Sequence, residues 1–222
     1  MSAGPERRRR PPTLPATVPI FPLSGVVLLP RARLPLNVFE PRYLAMTRDM
    51  LVGHRMIGMV QPLADESEGP PPVYEIGCAG RIAACKETDD GRRLVTLTGV
   101  CRFRVLDELP LAEGGYRQVR VDYSPFADDL LESTAARVDR ERLLAALKAC
   151  FPPGGEAQID WQAVDDMAPD ALVTNLAMVF PLAASEKQAL LECRDTEERA
   201  RVLTALMEMA ALGGSDEGRI MQ

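Results

Sequence analysis

The sequence predicts an α+β protein with a β-rich first half and a helical second half. Up to about Tyr123, short apolar runs alternate with turn residues, which is typical of strands. After Pro125, apolar residues recur at helical spacing. Gly77, Gly80 and Gly99 lie within long strand-like stretches and indicate bends, as a small closed barrel requires. A chain of 222 residues is long enough to bury a substantial core.

The first strands are short and apolar. Residues 18–23 contain two prolines, which favour an irregular or edge strand. Residues 26–29 follow after a Ser-Gly turn, and residues 34–39 alternate apolar side chains with others. Residues 56–60 form another apolar run, and the acidic, proline-rich residues 64–72 are expected to form a mobile loop.

One helix is expected to interrupt these strands at residues 41–51. Pro41 suits the first helical position, where its missing N–H would have no partner. Tyr43, Met46 and Met50 recur on one side of this helix. The helix therefore has an apolar side that can pack against the strands.

The clearest strand pairing is a hairpin. Residues 76–86 and 94–105 flank Asp89-Asp90-Gly91, and Asp-Gly supplies the positive backbone angles of a tight reversal. Residues 116–123 close the series, with Val119 and Val121 on one face.

The second half is expected to contain about four helices. Ser185 with Gln188 fits a capping box, and Gly213-Gly214 are expected to end the last helix. The four helical segments lie at residues 134–150, 169–180, 185–191 and 196–212. The predicted organisation is a disordered tail at 1–14, a β-rich unit at 15–125, a helical bundle at 126–213 and a flexible tail at 214–222.

Charge is distributed unevenly along the chain. The net charge is −6, but residues 128–222 carry −9 and the rest carries +3, mostly from Arg7–Arg10. This balance argues against a nucleic-acid footprint, although a basic patch formed only on folding stays open. No apolar run approaches the roughly 20 residues of a membrane helix, so no membrane association is expected. The amino terminus lacks a secretory pattern, and we expect a cytoplasmic protein.

The residues that carry most enzyme chemistry are scarce. Five cysteines without a C-x-x-C pair are expected to be reduced thiols, and the single histidine, His54, argues against a zinc site. Phosphate-binding, dinucleotide-binding and nucleophile-elbow motifs are absent from the sequence. We therefore predict no catalytic residues, no metal and no cofactor.

Several motifs resemble one protein family. Residues 19–23 (PIFPL), 27–30 (VLLP) and 34–43 (LPLNVFEPRY) are similar to the amino-terminal substrate-binding domain of Lon protease, the LON domain family. Further similar stretches lie at residues 76–82, 90–92 and 99–105, and at 186–192 with Asp195 and Arg199. The resemblance covers residues 18–212, with the stretch Phe39 to Tyr43 as its most specific part.

The resemblance implies a fold and limits the chemistry. It implies a six-stranded pseudo-barrel of the PUA-like type with one inserted helix, followed by a helical bundle. A full Lon protease carries an ATPase module and a Ser–Lys protease domain after this region, and this chain has neither motif. We therefore expect a stand-alone LON-domain protein that is not an enzyme, even if domain homology gives it a peptidase S16 name.

The resemblance also points to candidate binding residues. Glu40 and Arg42 flank a proline at a strand-to-helix turn, where they either stabilise the helix start or line the rim of a peptide groove. An edge at residues 21–23 is a candidate for accepting an extended peptide by strand addition. The predicted binding residues are Phe21, Pro22, Leu23, Phe39, Glu40, Arg42, Tyr43 and Arg102.

The function expected from the sequence is non-catalytic recognition of unfolded or damaged polypeptides in protein quality control. One version is an adaptor that delivers clients to a protease or chaperone, and a homodimer is one means of raising a weak affinity. Three alternatives stay open. One is an enzyme with an unrecognised site, which would show as clustered, convergent polar groups in the structure. The other two are binding functions. PUA-like barrels often bind RNA, although nucleic acid does not suit the charge balance, and a related domain occurs beside a ligand-binding one, which allows a small ligand or a dedicated partner.

Overall fold

The computed structural model describes residues 14–63, 70–131, 136–151 and 159–217. The predicted amino-terminal tail to residue 13 and residues 64–69 of the predicted acidic loop lie outside these ranges. Residues 132–135 and 152–158, and the last five residues of the predicted carboxy-terminal tail, also lie outside them.

Six strands form one mixed sheet, and five of them close into a ring. The strands are β1 (Thr17–Pro22), β2 (Arg33–Val38), β3 (Met56–Val60), β4 (Ile76–Glu87), β5 (Arg93–Leu109) and β6 (Gln118–Asp122). Their order is β2-β5-β4-β3-β1-β6, and β6 also pairs with β5. The 17-residue β5 makes this closure possible, because its first half pairs with β2 and β4 and its second half pairs with β6. The predicted six-stranded pseudo-barrel and α+β class are confirmed.

The ring has its own apolar interior. Ile20, Met56 and Phe103 are almost fully buried there, with Val18, Val60, Ala79, Val119 and Val121. A larger core lies outside the ring, between the sheet, the inserted helix and the carboxy-terminal helices. The larger core contains residues of both halves of the chain and joins them into one packed unit.

Strand β1 is an inner strand of the sheet. Of the two alternatives predicted for residues 18–23, an edge strand or an irregular strand, the edge strand is therefore wrong. It pairs in parallel with β3 on one side and antiparallel with β6 on the other. The strand tolerates its two prolines, which have no N–H, because the residue after each proline donates its own N–H to a neighbouring strand or its flanking residue. The Ile20 amide donates to the Arg117 carbonyl at 3.0 Å, and the Leu23 amide donates to the Val60 carbonyl at 3.0 Å.

Residues 26–29 do not form a strand, and all of them except the partly exposed Val26 are buried. Val27, Leu28 and Leu29 are at most 2% exposed, and their backbone crosses the sheet at Gly99. A Cβ atom at Gly99 would lie 2.0 Å from the Leu29 carbonyl oxygen, so only glycine permits this crossing. The apolar pattern therefore predicted the burial of residues 27–29 correctly, and the prediction that they pair as a strand is wrong.

The inserted helix and the hairpin agree with the sequence prediction. Helix α1 (Pro41–Val52) starts at its proline and buries Tyr43 and Met46. In the turn between β4 and β5, Gly91 has φ of +80° and its amide donates to the Thr88 carbonyl at 2.9 Å.

The second half differs in detail from its prediction. A 3-10 helix (Ser124–Leu130) precedes α2 (Arg140–Cys150), α3 (Trp161–Asp166), α4 (Pro169–Val179), α5 (Ala184–Glu192) and α6 (Thr196–Glu217). Helix α2 starts later than the predicted residue 134, because the Asp139 carboxylate caps it by accepting from the Arg142 amide at 3.0 Å. The two-turn helix α3 was missed because so short an element carries little periodic signal.

Two predicted helix signals are wrong. The Ser185–Gln188 capping box does not form. The Glu186 carboxylate instead accepts from the Ala183 amide at 2.8 Å, since α5 begins at Ala184, two residues earlier than a Ser185 cap requires. Gly213-Gly214 do not end α6, which continues to Glu217, because glycine weakens a helix without obliging it to stop.

No helix among the described residues is both long and apolar enough to cross a membrane.

The Gly99 crossing gives a stability prediction. Gly99→Ala should lower the free energy of unfolding by about 3 kcal/mol or more, because its methyl group would meet backbone rather than a movable side chain. Gly53→Ala is the control, since its Cβ would approach backbone no closer than 3.1 Å, at the Asp49 carbonyl oxygen. This substitution should lower the free energy of unfolding by less than about 1 kcal/mol. Urea unfolding followed by circular dichroism measures the free energy of unfolding of both variants. Equal losses would contradict the requirement for glycine where the Leu29 backbone crosses residue 99.

Candidate functional site

The start of α1 and the end of β1 meet in a stack of side chains. The Phe21 and Tyr43 rings are parallel to within 15°, with their centroids 4.1 Å apart. The Arg42 guanidinium lies 4.7 Å from the centroid of the Tyr43 ring and forms a 2.8 Å ion pair with Glu40. We call Phe21, Pro22, Leu23, Glu40, Arg42 and Tyr43 the aromatic corner.

Within the aromatic corner, the rings are covered and the charges are accessible. Phe21 and Tyr43 are only 8% and 6% exposed, and burial raises the pKa of the Tyr43 hydroxyl. The side chains of Arg42 and Glu40 are close to half exposed. The corner therefore presents a charged, hydrogen-bonding surface supported by packed rings.

Phe39 lies next to the aromatic corner and is exposed. It comes just before α1 and is 60% exposed, with the Arg92 guanidinium of the β4–β5 turn 5.8 Å from its ring centroid. An exposed phenylalanine held at a helix start can offer its ring to an apolar partner at low entropic cost. The structure thus brings seven of the eight predicted binding residues to one end of α1.

The eighth residue, Arg102, lies elsewhere and is buried. Its side chain is 4% exposed, and its Nε and Nη2 atoms form 2.9 Å contacts with the two oxygens of Asp129 in the 3-10 helix. The guanidinium also donates to the carbonyls of Leu191, Cys193 and Arg194 at the end of α5. We assign Arg102 a structural role, since every part of its guanidinium is engaged by protein.

A second buried joint connects the ring to α5. The Gln61 amide nitrogen donates to the Ala184 carbonyl at 2.9 Å and to the Gln188 side-chain oxygen at 3.1 Å. Gln188 in turn donates to the Ile76 carbonyl and to Glu192. The motif at residues 186–192 therefore attaches the helices to the ring. Nothing in the sequence marks Gln61 as its partner.

Among the described residues, no cluster of three or more histidine, cysteine or acidic side chains could hold a metal ion. All five cysteines are free, and burial raises the pKa of the Cys78 and Cys101 thiols, the latter to about 12. Such thiols stay protonated and are poor nucleophiles. The His54 residue is exposed overall. Partial desolvation of its ring and the charge of Arg81 lower its pKa.

Two cavities lie outside the aromatic corner. One, of about 410 Å³, is lined by polar and small residues between residues 30–33 and the start of α4. The other, of about 330 Å³, is almost entirely apolar and lies among α2, α3 and α4, with Leu147, Phe151, Val164 and Phe180 in its wall.

Comparison with known proteins gives the family. The sequence model of the ATP-dependent protease La (LON) substrate-binding domain matches residues 17–209. The chain belongs to the LON substrate-binding domain family. The predicted resemblance is confirmed, and we refer to this protein below as the LON domain.

Relatives match the LON domain along most of its length. It is 28% identical to Lon protease 2 of Sorangium cellulosum over 218 residues, which is 93% of this chain and 26% of that protein. It is 26% identical to the Lon protease of Desulfosudis oleivorans over 220 residues, 94% of this chain and 26% of that protein. The chain thus spans about a quarter of the length of these relatives, and the matched region is the substrate-binding domain.

Solved structures share the fold. The Lon N-terminal domain protein from Xanthomonas campestris has a TM-score of 0.59 and 25% identity, covering 85% of this chain and 97% of that one. The N-terminal domain of Mycobacterium avium complex Lon protease has the same TM-score at 18% identity, covering 86% and 97%.

The Arg102 joint of the LON domain gives a second prediction. Asp129→Ala should lower the free energy of unfolding by about 3 kcal/mol, because it leaves a buried guanidinium without its counter-charge. Asp128→Ala removes a neighbouring exposed carboxylate and should cost no more than about 0.5 kcal/mol. Urea unfolding compares the two; a similar small loss for both would show that the joint does not depend on Asp129.

Proposed function

We propose that this LON domain is a non-catalytic module that binds exposed apolar segments of unfolded polypeptides in the cytoplasm. The observation that supports the proposal most directly is Phe39, an aromatic side chain 60% exposed beside the aromatic corner. A soluble domain gains nothing in stability from leaving such a ring in water, whereas a binding surface uses it as an anchor.

The surroundings of Phe39 suit a polypeptide rather than a rigid small molecule. Arg42 and Glu40 offer donors and acceptors to a peptide backbone beside the ring, while the stacked Phe21 and Tyr43 hold the surface in place. An apolar side chain of the client would cover the Phe39 ring, and its neighbouring peptide groups would replace water on the charged pair.

Affinity for a single segment is expected to be low, because one exposed ring and one ion pair bury little surface. Avidity would then come from a homodimer or from a protease or chaperone that holds the same client. This is the adaptor version of the proposal, and co-purification with such a partner is its specific test.

The proposal predicts a selective loss of client binding. Phe39→Ala should weaken binding of a fluorescently labelled, reduced and carboxymethylated protein by about fivefold or more, measured by fluorescence anisotropy without nucleotide. Val52→Ala is the matched control, since Val52 is 88% exposed at the other end of the same helix. Neither substitution should change thermal stability, because both side chains are largely in water.

Gel electrophoresis of the same samples tests the non-catalytic part of the proposal, and the client should stay intact. Equal client binding by Phe39→Ala and Val52→Ala would show that Phe39 is not part of the binding site. Absence of binding by the unsubstituted domain at high concentration would overturn polypeptide recognition.

A second candidate function is favoured by the apolar cavity among α2, α3 and α4. A volume of about 330 Å³ lies at the small end of ligand sites. Trp161, the only tryptophan, starts α3, which carries Val164 of the cavity wall. An apolar ligand such as a medium-chain fatty acid should therefore change Trp161 fluorescence saturably. Val164→Phe should abolish the change by filling the cavity without adding a second tryptophan. An unchanged spectrum would remove this candidate.

A further inference from the structure

The closed ring leaves one strand with an unpaired edge. Strands β1, β3, β4, β5 and β6 each have neighbours on both sides, whereas β2 is at the end of the strand order and pairs only with β5. Among the described residues, no other strand or helix runs alongside β2. An open edge is a template for a further strand.

The register shows which peptide groups of β2 face this open edge. The Gly99 amide donates to the Ala32 carbonyl at 2.9 Å, just before β2 begins. Hydrogen-bonded pairs alternate in an antiparallel ladder, so Leu34, Leu36 and Val38 direct their peptide groups toward β5. The peptide groups of Arg33, Pro35 and Asn37 therefore point outward, offering three carbonyls and two N–H groups.

The sheet next to this edge has an uncovered face. Cross-strand pairing aligns Arg81, Thr98 and Arg33 in one row across β4, β5 and β2. The other two rows are Ala84–Thr96–Pro35 and Lys86–Leu94–Asn37, and all nine residues are exposed or partly exposed. The opposite face of the same strands carries buried residues such as Ile82, Leu97 and Leu36.

This face is basic and its charges are unneutralised. Arg33, Arg81 and Lys86 form no ion pair with any described residue, and none of the nine residues is acidic. The sequence as a whole has a net charge of −6, so a patch of this sign is a local feature. It complements a partner that carries carboxylates.

We propose that the open edge of β2 accepts an extended polypeptide segment as an additional strand, with an acidic side chain of that segment beside Arg33. The inference rests on the proposed polypeptide binding and assigns it a second contact surface. Main-chain hydrogen bonds to Arg33, Pro35 and Asn37 supply sequence-independent affinity, and Arg33 adds a preference for carboxylates.

The edge suits a client better than a second copy of the chain. The symmetric register that pairs two β2 edges along their whole outward-facing length, from Arg33 to Asn37, places Pro35 opposite Pro35, and both lack the N–H that the pair needs. A client strand loses only one hydrogen bond at Pro35, since the Pro35 carbonyl still accepts.

Beyond Arg33, the edge leads into the polar cavity. This cavity of about 410 Å³ lies between residues 30–33 and α4, with Asp170, Thr174 and Asn175 in its wall. A bound segment that continues past Arg33, the first residue of β2, would enter this cavity rather than meet a packed surface.

The test uses a charge reversal with a matched control. The probe is a fluorescein-labelled peptide of about ten residues that alternates valine with threonine and has one central glutamate. Arg33→Glu should weaken its binding about fivefold, because the added strand lies roughly 5 Å from β2. Arg81→Glu changes the net charge equally but lies two strands farther away, beyond the screening length, and should change affinity less than twofold.

Backbone methylation of the peptide tests strand addition itself. Two peptides of identical sequence carry N-methyl groups on alternate residues, shifted by one position between them. Only one edge of the peptide pairs with β2, so one methylated peptide should bind like the parent and the other should lose binding. Equal binding by both methylated peptides would overturn strand addition.

The remaining outcomes separate this inference from the proposed function. If the carboxymethylated protein binds but Arg33→Glu leaves both probes unaffected, client recognition stands and the β2 edge is not its site. If both charge reversals weaken binding equally and a short single-stranded RNA competes, the face binds polyanions and strand addition is wrong. If no polypeptide binds the unsubstituted domain, the proposed function fails together with this inference.

Discussion

The placement of the helices on the barrel depends on one buried guanidinium. Arg102 leaves the middle of β5, pairs with Asp129 of the 3-10 helix and donates to three carbonyls at the end of α5. Those carbonyls have no partners within the helix, and a cation is the charge that a helix end favours. One side chain thereby forms bonds to both the connecting turn and the helical half from the barrel. The Gln61–Gln188 contact is a second joint between the barrel and α5.

A second arginine lies beside Arg102, and its lowered pKa shows that burying two cations together is unfavourable. Arg199 is buried beside Arg102 and donates to the Leu190 carbonyl at 2.8 Å. Burial and the neighbouring guanidinium lower its pKa to about 10, and it remains charged at neutral pH. Two buried cations with one carboxylate are stable only because backbone carbonyls accept their remaining hydrogen bonds. The joint is therefore specific in geometry, and neither arginine is available to a ligand.

Closure of the ring decides where a polypeptide can pair with this protein. In an open sheet with this strand order, β2 and β6 would both present free edges. Because β5 is long enough to pair with β6 as well as with β4, that second edge disappears. The two surfaces that our proposals assign to binding follow each other in the chain at residues 33–42. They are the free edge of β2 and the exposed ring and ion pair at the start of α1. A client that covers Phe39 is thus near the edge that our further inference assigns to strand addition.

The sequence by itself determined most element types, their order and the resemblance to the family, because hydrophobic period, Asp-Gly and Pro at helix starts are local signals. It also placed Phe21, Phe39, Arg42 and Tyr43 among the candidate binding residues, and the tertiary structure then gathered them at one corner. It missed the short α3 and predicted a strand at residues 26–29 that does not form. Only the tertiary structure decided that Arg102 is buried, that Gln61 meets Gln188 and that β2 rather than β1 has the open edge. The same rule about proline in strands applies to Pro35 as to Pro19, and the sequence cannot choose between them. Edges and joints arise from contacts between residues far apart in the chain, and a single sequence carries no signal for those pairings.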